Sequence, residues 1–91
     1  LGALKAIQEM GKQKDILVIG VDGQKEAYEK MIEGVFAATA ENSPKKLGEL
    51  VVQTMVRYFN GDKDIDKTIY TPSILISQNN IKDFYDPKAL F

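Results

Sequence analysis

Six residues without a single polar side chain, Ile16 to Val21, run straight into Asp22 and Gly23. A run with no polar alternation predicts a strand covered on both faces, as in a parallel sheet. An acid followed by glycine predicts a tight turn at the strand's carboxyl end. Beyond it a second short strand is expected over 35–40, and it runs into Asn42-Ser43-Pro44. Strand, helix and strand in that order imply a right-handed βαβ crossover. Strands that end on polar groups just before helix N-termini are how open α/β sheets build ligand crevices. The expected fold class is therefore α/β, with an open, mainly parallel sheet and helices on both faces.

The other elements follow from periodicity and punctuation. Ala3, Leu4, Ala6, Ile7 and Met10 share one face of a helix over 1–10, with Gly11 as its stop. Ala27, Tyr28, Met31 and Ile32 form the stripe of a helix over 24–33, ended by Gly34. Asn42 or Ser43 caps a long helix from Pro44 to about Phe59, which stops at Asn60-Gly61. Leu47, Leu50, Val51, Met55 and Tyr58 make one face of it, widened by Val52, Val56 and Phe59. So broad a stripe needs cover on several sides. Residues 67–77 read as a third strand with Pro72 inside it, an awkward place for a residue that cannot donate to a ladder. Asn79-Asn80 then heads a short helix that Asp86-Pro87 breaks.

Composition removes whole classes of function. The chain has no Cys and no His, which excludes disulfides, thiol catalysis, His-based hydrolase triads and Cys- or His-bound metals. No metal site and no cofactor is expected. A net charge of −1 speaks against a nucleic-acid surface, which needs a basic stripe. No apolar run reaches the length of a membrane span, and no signal peptide is visible. Ninety-one residues bury only roughly 60–65% of the unfolded surface. The chain opens on Leu, and its first helix lacks a cap, so a longer parent chain is expected.

Two residues stand out as candidates for binding. Asp22 sits at the expected end of the first strand, and its carboxylate can accept from two or more hydroxyl groups. Its structural alternative is to cap the helix that starts near Gln24. Asn42 both donates and accepts, which also suits a hydroxyl, and its structural alternative is again a cap. Glu41 with Asp22 as an acid/base pair has no local support. Lys45-Lys46 reads as a solvated face rather than a phosphate clamp, and Gly20 to Gly23 lacks the spacing and lysine of a phosphate loop.

The ordered set LGALKAI from Leu1, ILVIGVDG from Ile16, GVFAATAENSP from Gly34, LGELVV from Leu47, Asn60-Gly61 and ILISQNNI from Ile74 resembles the C-terminal part of a sugar-binding protein. The type is that of ribose, galactose and allose, in the periplasmic-binding-protein superfamily shared with lac-repressor-like regulators. The resemblance covers essentially the whole chain and implies Rossmann-like lobes only partly present in it. It implies that Asp22 and Asn42 hold sugar hydroxyls, Asn42 being one methylene shorter than the glutamine often found there. It places hinge crossings at Glu41 and Ser43 and at Pro72 and Ser73. Residues 1–41 and 75–91 then belong to one sugar-binding lobe, and 42–74 cross into the other. The function implied is capture of a monosaccharide or related polyol for ABC-type import, with no catalysis. The alternative is the effector domain of a lac-repressor-like regulator, which Gly23 after the acid disfavours. An unrelated α/β enzyme or phospho-acceptor domain is a more distant reading. The partners implied are a small sugar, a membrane permease, and either a missing N-terminal portion or a second copy of the chain. The location implied is extracytoplasmic, in a periplasm or lipid-anchored at the cell surface.

Overall fold

The computed structural model describes all 91 residues. Seven elements follow one another: α1 (Gly2–Glu9), β1 (Ile19–Asp22), α2 (Lys25–Ile32), β2 (Ala38–Glu41), α3 (Pro44–Phe59), β3 (Leu75–Ser77) and α4 (Ile81–Phe84). The sheet order is β1-β2-β3. β1 and β2 run parallel, with Asp22 opposite Glu41, and α2 makes the crossover between them. β3 returns antiparallel to β2, with Thr39 opposite Ile76. The α/β architecture expected from the sequence forms, as a mixed three-stranded sheet with its helices.

Side-chain alternation divides this sheet into two unlike faces. Gly20, Thr39 and Ile76 lie in register on one face. That face carries the core: Leu4 of α1, Ala27, Tyr28 and Met31 of α2, Phe36, Ile76 and Ile81. Gln78 donates its amide to the Met31 carbonyl, which ties the end of β3 to the end of α2. On the other face, Ile19, Val21 and Leu75 are 67–73% exposed. The run from Ile16 is therefore covered on one face only within this chain.

The eight buried residues all fall within 1–41 and 75–91. None lies between 42 and 74, although that span holds the longest helix. α3 begins on Pro44, is capped by the Ser43 hydroxyl accepting from the Lys46 amide at 3.2 Å, and buries none of its side chains. Leu47, Val51, Val52, Met55, Val56, Tyr58 and Phe59 are all exposed. The shape reflects this. The radius of gyration is 17.3 Å, against roughly 12 Å for a compact domain of this length. The accessible surface is 7176 Å², against about 5,300 Å² for a compact monomer of this mass.

Several boundaries differ from those expected. The first strand starts at Ile19 rather than Ile16, and the second at Ala38 rather than Val35. Strand begins only where the two chains come within pairing distance, after Val18 accepts from the Ala37 amide at 2.9 Å. The third strand is Leu75–Ser77 rather than 67–77. Only those residues pair in register with β2, and Pro72 lies outside the ladder it would interrupt. Asn80 stands at the head of α4 but makes no cap bond. Its side chain instead accepts from the Ser77 amide at 2.8 Å and donates to the Leu75 carbonyl at 3.0 Å.

The two segments should respond unequally to truncation. Ile76→Ala should cost the 91-residue chain about 2–5 kcal/mol, the range for a buried Ile or Leu. Val52→Ala on α3 should be within about 0.5 kcal/mol of neutral, as at exposed sites. Urea denaturation checks both. A core-sized cost at Val52 would show that this helix is buried in the chain as it stands.

Candidate functional site

The carboxyl ends of β1 and β2 bring the sequence candidates together. Asp22 is the last residue of β1, and Asn42 follows the last residue of β2. The Asn42 amide nitrogen donates to the Asp22 carbonyl at 3.1 Å, extending the parallel ladder by one bond. The Asn42 side chain donates from Nδ2 to Asp22 Oδ1 at 3.3 Å. Both side chains are exposed. The pair leaves Asp22 Oδ2 and the Asn42 side-chain carbonyl as outward acceptors, and the amide has a second proton to give.

Neither side chain caps a helix. α2 has Gln24 at its N-cap position with no side-chain bond. Ser43, not Asn42, caps α3. The structural alternative for each candidate is therefore absent.

The backbone at Asp22 is unusual. Its φ is +91°, the one positive value outside glycine, a region that costs about 1–3 kcal/mol for a residue with a side chain. Gly23 follows at φ +67°. The turn is held from both sides: the Asp22 carbonyl by the Asn42 amide, and the Gly23 amide by Thr39 Oγ1 at 3.2 Å. Gly23 also has no room for a side chain. A Cβ there would meet Tyr28 Oη at 2.6 Å and the Glu41 backbone at 3.3 Å.

Beneath this turn lies Glu41, expected from the sequence at a hinge crossing but not as a buried charge. Glu41 pairs with Lys46 at 3.0 Å through Oε1, with its side chain only 12% exposed. Its Oε2 is buried and accepts no hydrogen bond. Burial first, and the Glu41 charge second, push the Tyr28 hydroxyl above the ordinary tyrosine pKa. Lys46, read from sequence as a solvated residue, is thus engaged with Glu41. Thr39 was also missed, because nothing local marks a threonine whose partner lies sixteen positions away.

The expected hinge residues lie side by side. The Glu41 amide donates to the Ile74 carbonyl at 2.8 Å. The Ser73 hydroxyl donates to the Glu41 carbonyl at 3.1 Å. Ser43 is tied up as the α3 cap, and Pro72 precedes this joint in irregular chain. The two places where the chain passes between the core body and the α3 segment are therefore stitched to each other.

Against known proteins, no family model matches the chain. The ribose import binding protein RbsB of Bacillus subtilis is 40% identical over 78 residues, 86% of this chain and 25% of that protein. The protein of the same name from Haemophilus influenzae is 33% identical over 63 residues, 69% of this chain and 21% of that protein. Among solved structures, an ABC transporter solute-binding protein of Bacillus halodurans with bound myo-inositol superposes with a TM-score of 0.79 at 31% identity. That match covers 92% of this chain and 29% of the other. The arabinose-binding component from Shewanella gives a TM-score of 0.78 at 36% identity, over 91% of this chain and 28% of the other.

The chain belongs to the periplasmic sugar-binding-protein family. It spans about a quarter of the length of the relatives it matches.

Gly23 gives this geometry a direct check. Gly23→Ala should destabilise the chain by about 1–3 kcal/mol, from the positive φ and the clash with Tyr28. Gly48→Ala, inside α3 with nothing near its Cβ position, should stabilise it by about 0.5–1 kcal/mol. Opposite signs in thermal or urea melts support the turn described here. Equal, small effects would contradict it.

Proposed function

We propose that this chain forms one edge of the ligand site of a solute-binding protein that captures a monosaccharide or related polyol for ABC-type import. The observation that carries the reading is the Asp22–Asn42 pair. Two polar side chains stand at adjacent strand ends, bonded to each other at 3.3 Å, free of capping duty and exposed to solvent. A carboxylate and an amide that share one hydrogen bond present two acceptors side by side, a match for neighbouring hydroxyl groups. The relatives support the class: two are named for ribose import, and two solved structures hold myo-inositol and L-arabinofuranose. All of these are neutral polyhydroxy compounds. The transporter relatives favour import over the effector domain of a regulator.

In this reading the protein binds and releases, and does no covalent chemistry. Residues 1–41 and 75–91 belong to one lobe, and 42–74 reach into a second. The distribution of buried residues supports that division, since all eight lie in the first set. Glu41, Ser43, Pro72 and Ser73 then form the hinge between lobes, and hinge closure around the sugar is the family-scale motion. A remaining portion of the protein covers α3 and the bare sheet face, in preference to a second copy of the chain. The role places the protein outside the cytoplasmic membrane, in a periplasm or held at the cell surface by lipid, where it delivers its sugar to a membrane permease.

Calorimetry on the two-lobed protein that contains this chain tests the reading. D-Ribose, L-arabinose, myo-inositol and allitol are the probes. Asp22→Ala should weaken the tightest of them by about 1.5–3 kcal/mol, the range for a hydrogen bond to a charged group. Asn42→Ala should weaken it by about 0.5–1.5 kcal/mol, as for a neutral bond. Unchanged affinity in both variants would remove the pair from the site.

A further inference from the structure

The turn that carries Asp22 rests on a side chain from the neighbouring strand. Asp22 has φ +91° and Gly23 has φ +67°, two successive residues in a region that extended strands do not visit. A backbone so shaped persists only where its surroundings over-determine it. Two bonds do so here. One is main chain to main chain, from the Asn42 amide to the Asp22 carbonyl. Any residue at 42 other than proline supplies it. The other depends on a side chain: Thr39 Oγ1 accepts from the Gly23 amide at 3.2 Å. Thr39 is 1% exposed and is the one polar residue among the eight buried ones.

We propose that Thr39 is a positioning residue for ligand capture: its hydroxyl fixes the Asp22–Gly23 turn and thereby aims the Asp22 carboxylate. The inference rests on the reading that Asp22 holds a sugar hydroxyl. Thr39 itself cannot touch the ligand, because it lies under the turn, on the core face of the sheet beside Ile76. A buried position between Gly20 and Ile76 on an apolar face would suit Val as well as Thr in volume. What Val lacks is the acceptor, and the half-buried Gly23 amide would then lose its one protein partner, the costlier way to break a hydrogen bond. Without that bond, the peptide between Asp22 and Gly23 is held at its carbonyl end alone, by the Asn42 backbone amide, and the turn that aims the carboxylate at Asn42 Nδ2 loosens. Small displacements of a positioned group weaken a site out of proportion to their size.

The test is a mutant cycle in the two-lobed protein, read by calorimetry with the tightest of D-ribose, L-arabinose, myo-inositol and allitol. Thr39→Val should weaken binding roughly three- to twentyfold, and Thr39→Ser should hold it within about twofold of the original, since the acceptor is kept. The decisive arm repeats Thr39→Val in an Asp22→Ala background. A residue acting through Asp22 has nothing left to position there, so the second substitution should change affinity by less than about twofold. Should Thr39→Val fail to fold, Thr39→Cys takes its place, being close in size with a weaker acceptor, and the same pattern is expected. Unchanged affinity in Thr39→Val would overturn the proposal. So would an equal loss in both backgrounds, which would mean that Thr39 supports the fold and not the aim of Asp22. Unchanged affinity on Asp22→Ala alone would refute the site reading instead, whatever Thr39 does.

Discussion

The parallel pairing of β1 with β2 is the constraint from which the rest of the molecule follows. It sets Asp22 opposite Glu41 and brings the Asn42 amide to the Asp22 carbonyl. Slip that register by one residue and every side chain on β2 changes face. Thr39 would leave the core and Ala40 would enter it. The Asp22–Asn42 pair would separate, and Glu41 would lose both Lys46 and its place below Tyr28. Both strands end at the same level because α2 is a crossover of fixed length between them. Two polar residues then emerge together at the carboxyl edge, where open α/β sheets take ligands.

Burial in this chain is one-sided, and that asymmetry bears on function as much as on stability. One sheet face carries Leu4, Met31, Phe36, Ile76 and Ile81, while the other leaves Ile19, Val21 and Leu75 open to water. α3 buries nothing. Exposed apolar surface on this scale marks an interaction surface. The segment 42–74 is attached to the core body through two adjacent chain passages, bonded to each other at Glu41, Ser73 and Ile74. A joint that narrow, with a bare helix on its far side, supports the hinge proposed for these residues. The Glu41–Lys46 pair spans it at 3.0 Å, so the first turn of α3 is held to the end of β2.

Local chemistry was legible in the sequence, and partnership was not. α3 could be placed to the residue, because Asn-Ser-Pro starts a helix and Asn-Gly ends one regardless of what surrounds them. The apolar stripe of α2 was equally readable, and Ala27, Tyr28 and Met31 are its buried members. β3 was overestimated, since apolar and β-branched residues from Lys67 onward favour strand, but a strand exists only where another lies alongside. β1 and β2 were each placed about three residues early for the same reason. The choice between Asn42 and Ser43 as cap could not be made from sequence, because both side chains reach the same amides. That choice matters, since it decides whether Asn42 is free for a ligand. Thr39 was not singled out, and Glu41 was read as a hinge residue without its burial or its Lys46 partner, because the groups involved, Gly23, Tyr28 and Lys46, come close only in the folded chain.

The central claim is that the Asp22 carboxylate and the Asn42 amide together meet a sugar at the carboxyl edge of the sheet. A crystal structure of the two-lobed protein with bound D-ribose or myo-inositol tests it most directly. The account predicts ligand hydroxyl oxygens within about 2.5–3.2 Å of both side chains, the range of ordinary hydrogen bonds. A ligand seated in the cleft that touches neither Asp22 nor Asn42 would contradict it.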